Sequence, residues 1–269
     1  MSVPVRAEGV LLDRAVPCAF DALVAPSGAV LVIAPHPDDE TLGCGLAIRA
    51  ALEAGRNVGV LLLTGGGASH PASRSHPPEA MKALRRAEFE AALDALGGGL
   101  PAGSGRIVHR LLDLPDGAVR SDAAGSDGAL DAARAMAEAL DARTLWVTWG
   151  GDPHADHGAA ATLADRLCGQ RRFARRLDYA VWGRFGSAGR ALDEEPGGAR
   201  AIRFDAPRHR CAKRRAMDAY RSQLTPMIED DPDGFVMPAA LVEHFAEAPE
   251  VFVDRRTADP STASGPRRP

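Results

Sequence analysis

Short apolar runs alternate with helical patterns along most of the chain. Residues 29–34 (AVLVIA) form a continuous apolar run rich in β-branched residues, which is typical of a strand buried on both faces of a parallel sheet. Residues 57–64 (NVGVLLLT) predict a second buried strand. Further strands are predicted at residues 107–114, 144–149, 179–185 and 200–204. Helices are predicted at residues 43–55, 79–96, 128–142, 159–168 and 208–223. This alternation predicts an α/β fold with a mainly parallel sheet flanked by helices.

Polar loops follow three of the predicted strands, and their positions predict where the active site lies. In an open, Rossmann-like parallel sheet, ligands bind beyond the carboxyl ends of the strands. We therefore expect one active site where these loops converge. No linker divides residues 1–255, so a single domain is predicted there. Residues 256–269, rich in Pro, Ser and Arg, predict a disordered tail.

Composition and charge narrow the classes of partner. The chain has 32 Lys and Arg against 36 Asp and Glu, a formal net charge of −4, and 5% aromatic residues. The negative net charge argues against nucleic acid or an anionic membrane as the main partner. The low aromatic content argues against a surface that stacks the bases of single-stranded nucleic acid. The four cysteines form no paired motif, and the N-terminus lacks the pattern of a signal peptide. We expect a cytoplasmic protein with a small-molecule substrate, either monomeric or a homo-oligomer.

The loop after residues 29–34 carries one imidazole and three carboxylates, those of His36, Asp38, Asp39 and Glu40. Such a cluster repels itself unless a cation binds there. The loop after residues 144–149 adds His154, Asp156 and His157. Catalytic zinc commonly takes two histidines and one carboxylate and keeps one position open for water. A set of His36, Asp39 and one histidine of the second loop fits this description.

Each loop also has a simpler interpretation. The first is compatible with a solvated turn in which an Asp or Thr side chain caps the next helix. The histidines of the second loop are compatible with surface or capping roles. Because both loops directly follow buried strands, their joint occurrence favours the metal site.

The sequence APHPDDE at residues 34–40, followed by HADH at 154–157, resembles the PIG-L/LmbE-like family of zinc-dependent N-acetylglucosaminyl deacetylases. The likeness runs from about residue 29 to about residue 224. It includes TGGGASH at 64–70, RRAE at 85–88, LPDG at 114–117 and AYRSQ at 219–223. The resemblance implies one deacetylase domain over residues 1–255.

The resemblance also implies roles for single residues. His36, Asp39 and His157 would bind zinc, although such a site also accepts Fe²⁺ or another divalent metal. Asp38 would be the general base, and His154 would stabilise the oxyanion. Asp156 and Glu40 would contact the ligands and catalytic residues rather than the metal or the substrate, and Asp156 would orient His154. Arg85 and Asp116 would contact the substrate. Ser69 and His70 either line the same pocket or are ordinary polar loop residues.

The expected enzyme is a metal-dependent N-deacetylase, a carbon–nitrogen hydrolase acting on linear amides. It would remove an N-acetyl group from an N-acetylglucosamine-type amino sugar or its conjugate. An amidase that removes a larger acyl or aminoacyl group is an alternative with the same metal site. A metal-free protein that binds a nucleotide or sugar phosphate is a third hypothesis, but no nucleotide-binding fingerprint supports it. Asp152, where some relatives have tyrosine, and the region after residue 224 have no assigned role.

Overall fold

The computed structural model describes residues 10–119, 123–185, 192, 195 and 198–255. The predicted tail at 256–269 lies outside them. Among the described residues, eight strands form a single sheet in the order β1-β7-β8-β6-β5-β2-β3-β4. They are β1 (Val16–Pro17), β2 (Ala29–Ala34), β3 (Val58–Thr64), β4 (Ile107–Leu114), β5 (Ala142–Thr148), β6 (Arg175–Tyr179), β7 (Ala199–Phe204) and β8 (Glu250–Arg255).

Helices pack on both faces of this sheet. They are α1 (Val10–Arg14), α2 (Asp39–Glu53), α3 (Pro78–Gly97), α4 (Ala123–Ala139), α5 (Ala155–Gln170), α6 (Arg210–Met217), α7 (Arg221–Leu224) and α8 (Ala239–Glu247). Within the described ranges, every helix is too short or too polar to cross a lipid bilayer.

The sheet is mainly parallel, as predicted. β2 pairs in parallel with β3 and β5, and β8 alone runs antiparallel, between β6 and β7. Along β2, Val30 and Val32 pack into the core beneath α2 and α3, whereas Leu31 and Ile33 pack against α4 and α5. This alternation explains why the strand reads as a continuous apolar run, because both of its faces are covered. The predicted α/β fold is therefore confirmed.

Several predicted boundaries are wrong. The strand predicted at 179–185 is instead β6, which ends at Tyr179, and Trp182–Arg184 form a short 3₁₀ turn. β6 begins with Arg175 and Arg176, and these charged residues do not fit the apolar pattern expected of a buried strand. In the structure they form ion pairs with Asp254 and Asp178, respectively. The helix predicted at 128–142 ends at Ala139, because β5 already begins at Ala142. The helix predicted at 208–223 is divided into α6 and α7.

Candidate active site and metal centre

The loops after β2 and β5 meet at the carboxyl edge of the sheet, because these two strands are neighbours. They bring together His36, His154 and His157, whose ring nitrogens lie within 4.8 Å of one another. His36 and His157 are buried, and His154 is half-buried. The expectation that the two polar loops converge is thus met in the structure.

Carboxylates surround both ring nitrogens of His36. Nε2 lies 3.1 Å from Asp156 Oδ2 and 3.2 Å from Asp116 Oδ1. Nδ1 lies 3.1 Å from Asp39 Oδ2. Burial alone would lower the pKa of His36, but hydrogen bonds to these three carboxylates raise it well above its usual value. Because Asp116 and Asp156 both lie at Nε2, this nitrogen would keep its proton if a metal bound, and Nδ1 would be the ligating atom.

His157 has the complementary arrangement. Its Nδ1 donates to Asp152 Oδ2 at 2.9 Å, and its Nε2 lies 3.3 Å from Asp39 Oδ1. Nε2 is buried, and among the described residues no acceptor, Asp39 included, meets it with the geometry of a hydrogen bond. Burial lowers the pKa of His157, but Asp39 and Asp152 outweigh this effect and raise the pKa to about 9. Burial raises the pKa of Asp39, but His157 and His36 outweigh it and hold the pKa well below its usual range.

These donors fit a divalent metal. Imidazole nitrogens and carboxylate oxygens are the ligands that zinc takes in catalytic sites. Asp39 Oδ2 lies 3.1 Å from His36 Nδ1, and Asp39 Oδ1 lies 3.3 Å from His157 Nε2, so this carboxylate faces both imidazoles. The second nitrogen of each imidazole contacts a carboxylate, as is usual for histidines that bind metal. The unpartnered His157 Nε2 and the surplus of carboxylates both favour a cation at this point.

Asp38 lies beside this cluster in a strained conformation. Its φ is +128°, in a region that residues other than glycine rarely adopt. Its carboxylate accepts a hydrogen bond from Arg85 Nη2 at 3.2 Å, and its N–H donates to Glu40 Oε2 at 3.3 Å. Burial raises the pKa of the Asp38 carboxyl, and the Arg85 guanidinium opposes that shift. Strain of this kind persists only where the surroundings fix it, and it is concentrated at functional sites.

Glu40 supports Asp38 from the protein interior. Its Oε1 accepts hydrogen bonds from the hydroxyls of Thr41 and Tyr220, each at 2.5 Å. Tyr220 lies between α6 and α7 and is fully buried. The structure places its hydroxyl on Glu40, one hydrogen bond away from the backbone of Asp38.

Arg85 and Asp116, both expected to contact the substrate, also make hydrogen bonds within the protein, and their role toward a substrate stays a prediction. Arg85 is 4% exposed and donates to the carbonyls of Pro37 and Gly66 as well as to Asp38. Gly66 has a φ of +69°, and a Cβ there would lie 2.3 Å from Arg85 Nη1, so only glycine fits. Asp116 uses one oxygen on His36 and the other on the Ala68 N–H, at 2.7 Å.

The other two predicted substrate residues lie on the loop after β3. Ser69 Oγ lies 3.3 Å from Gln223 Nε2 and 3.2 Å from His70 Nδ1. His70 is buried against Gly234, and its Nε2 has no partner in the part of the chain that is described. Their role toward a substrate stays a prediction.

The structure places the Asp156 carboxylate, expected to orient His154, on His36. This carboxylate accepts hydrogen bonds from the N–H groups of Gly117 and Val119, at 2.8 and 3.0 Å, and faces His36. His154 is instead the N-cap of α5, and its Nδ1 accepts from the Asp156 N–H at 3.2 Å. Burial lowers the pKa of His154, and the nearby His36 and His157 lower it further.

Asp152 is the functional residue that sequence reasoning missed. Besides His157, its carboxylate accepts hydrogen bonds from the backbone N–H groups of Val181, Trp182 and Gly183, at 2.7 to 3.2 Å. These groups belong to the segment after β6, so the partners are distant in sequence. The available signal was an acidic residue in the loop after β5, two positions before His154.

The fold and this site define an α/β protein with a candidate histidine–carboxylate metal centre at the carboxyl edge of its sheet. The family model PIG-L, described as GlcNAc-PI de-N-acetylase, matches residues 31–168, and the chain belongs to this family. No curated protein matches the chain.

Solved structures share the fold. N,N'-diacetylchitobiose deacetylase from Pyrococcus horikoshii is 17% identical, with a TM-score of 0.58 over 80% of this chain and 78% of that chain. A deacetylase triple mutant from the teicoplanin biosynthetic pathway is 21% identical, with a TM-score of 0.61 over 84% and 97%. GalB, the 4-carboxy-2-hydroxymuconate hydratase from Pseudomonas putida KT2440, is 18% identical, with a TM-score of 0.55 over 81% and 83%. One fold therefore carries more than one reaction, and the site must decide the function.

Proposed function

We propose that this protein is a zinc-dependent N-deacetylase acting on an N-acetylglucosamine-type amino sugar or its conjugate. Family membership and the deacetylases among the structural neighbours support the reaction class. The observation that carries the proposal is the grouping of His36 Nδ1, His157 Nε2 and the Asp39 carboxylate, with a second carboxylate, Asp38, directly beside them.

His36, Asp39 and His157 would hold the metal. Zinc bound there would supply Lewis acidity, which lowers the pKa of a water and polarises the amide carbonyl. Iron(II) or another divalent metal suits the same nitrogen and oxygen donors. Asp152 and Asp156 would fix the two imidazoles by accepting the proton of the nitrogen that faces away from the metal.

Asp38 is the proposed general base. Its carboxylate takes a proton from the water that attacks the carbonyl carbon of the amide. The same proton can then be delivered to the departing nitrogen, and when the amine also takes the remaining water proton, water and amide give acetate and a protonated amine. Arg85 holds the carboxylate in place through its hydrogen bond at 3.2 Å and favours its ionised form.

His154 is the proposed donor to the oxyanion. Because its Nδ1 accepts a hydrogen bond from Asp156, the neutral ring carries its proton on Nε2. The lowered pKa of His154 favours this neutral form. An N–H donor that is already in place can stabilise the negative charge that develops on the carbonyl oxygen.

The test is acetate release from N-acetylglucosamine and a panel of its α-linked conjugates, with metal content measured on the same sample. We expect stoichiometric zinc and acetate release that stops with a chelator and returns with added zinc. Release of a larger acyl group, but not acetate, would replace the deacetylase with the amidase. Absence of bound metal and of turnover after zinc addition would overturn the proposal in favour of a metal-free binding protein.

A further inference from the structure

Helix α2 is two helices joined at a break. Cys44 has φ −143° and ψ 24°, which lie outside the helical region. The break separates a first turn, Asp39–Gly43, from the longer segment 45–53. The end of one helix and the start of the next leave carbonyl and N–H groups without intrahelical partners. In this case they are buried, so other groups must satisfy them.

A buried ion pair from the C-terminal part of the chain satisfies these groups. Glu250, the first residue of β8, accepts hydrogen bonds from the N–H groups of Leu46 and Ala47, at 2.7 and 3.0 Å. Lys213 in α6 donates to the carbonyl of Leu42 at 2.9 Å and to Glu250 Oε1 at 2.7 Å. Both charged side chains are 0% exposed.

The signs of these charges match the two helix ends. A carboxylate at the start of a helix and an ammonium group at the end of one are each favoured by the helix dipole. Glu250 lies at the start of segment 45–53, and Lys213 at the end of the first turn. The pair therefore caps both sides of the break rather than simply filling the core.

The glycines on either side of Cys44 let other groups approach the break. A Cβ at Gly43 would lie 2.3 Å from the ring of Tyr179, so no larger residue fits there. A Cβ at Gly45 would lie 3.4 Å from the Lys213 side chain. The Tyr179 hydroxyl in turn donates to the carbonyl of Ile33 at 2.9 Å, in the strand that leads to His36.

We propose that Lys213 and Glu250 are positioning residues for the metal centre, because they fix the first turn of α2 relative to the rest of the helix. That turn carries Asp39, the carboxylate that faces both His36 and His157, and Glu40, which holds the backbone of Asp38. The inference rests on the proposed metal site, but it also concerns the geometry of the metal-free protein. Through Glu250, the segment after residue 224 contributes to the geometry of the proposed metal centre.

The test replaces the pair by apolar residues of similar size, in the double variant Lys213→Met with Glu250→Leu. Such replacement of a buried ion pair often leaves the fold stable. We expect zinc affinity, measured by competition with a chromophoric chelator, to fall about tenfold or more, as is typical when groups that orient metal ligands are lost. Amide hydrogen exchange at Leu46 and Ala47 should accelerate in the metal-free protein.

The matched control is Arg214→Met with Glu243→Leu. It removes an exposed ion pair from the residue next to Lys213, with a nitrogen–oxygen distance of 2.8 Å, and should leave zinc affinity unchanged. If the wild type binds zinc and the double variant binds it equally well, the inference is wrong and the proposed function stands. If the wild type itself binds no metal, the proposed function fails, and the exchange rates still decide the capping role.

A milder variant covers the case in which the double variant does not fold. Lys213→Met with Glu250→Gln leaves neither charge buried without its partner, and the glutamine keeps one oxygen to serve Leu46 and Ala47. We expect one of these two amides to lose protection while global stability, measured by unfolding, stays high enough for a folded protein. Unchanged exchange at both amides, together with unchanged zinc affinity, would overturn the inference.

Discussion

Replacing Asp152 by asparagine tests how the protein holds His157 toward the metal. Three donors converge on Asp152 Oδ2, namely His157 Nδ1 and the N–H groups of Val181 and Trp182. Among the residues that the structure describes, Oδ1 accepts only from the N–H of Gly183. An asparagine oxygen should therefore occupy the Oδ2 position, and its amide group would face the N–H of Gly183. His157 would keep an acceptor, but a neutral one.

The expected cost follows from this arrangement. Loss of the charge that orients a ligating histidine weakens metal binding about 10- to 100-fold, and because one acceptor remains we expect the lower end. A tenfold loss corresponds to about 1.4 kcal/mol of binding free energy. The unpaired N–H of Gly183 should cost a further 1–3 kcal/mol, roughly, in the free energy of unfolding.

The assay is zinc affinity by chelator competition, together with the free energy of unfolding of the metal-free protein. Asp178→Asn is the control, because Asp178 is equally buried but binds Arg176 rather than a histidine. That variant should lose stability without losing zinc affinity. Equal zinc affinity in the Asp152 variant and the wild type would refute the idea that Asp152 orients a ligand.

Three further outcomes are expected. Asp38→Asn should keep its metal, measured by elemental analysis, and lose about 10²- to 10⁴-fold in acetate release; wild-type turnover would mean that another group is the base. Tyr220→Phe should lower kcat about tenfold without changing metal content, because it removes a hydrogen bond to the Glu40 carboxylate; an unchanged kcat would leave Tyr220 a packing residue. Chelation should lower the unfolding temperature, since a metal at 100 times its Kd adds about 2.7 kcal/mol, and an unchanged temperature would argue against a specific site.

The central strand β2 lies at the predicted residues 29–34, because a strand covered on both faces is a continuous apolar run. The edge strand β4 also lies at its predicted residues, 107–114. β8 could not be predicted, because its place between β6 and β7 depends on pairing with strands distant in sequence. Its first residue, Glu250, is charged and buried, and only the structure supplies the Lys213 that makes this burial possible.

The meeting of the two polar loops could also be predicted, because each loop directly follows a strand whose burial is evident in the sequence. The partners of the charged groups could not. Arg85 and Asp116 were expected on the substrate, but a sequence does not state which acceptor an arginine or which donor a carboxylate will meet. Their partners are the loops beside them, including Gly66 and Ala68.

The strained backbone of Asp38 shows why the motif alone does not make the site. An isolated loop would relax from a φ of +128°, since such conformations cost of the order of 1–3 kcal/mol. Here Arg85, from α3, holds the carboxylate and the neighbouring Pro37 carbonyl, and Glu40, fixed by Tyr220, holds the N–H. Asp38, the proposed base, is therefore positioned by elements far apart in the chain. Removing Tyr220 or Arg85 should allow Asp38 to relax even with residues 34–40 intact.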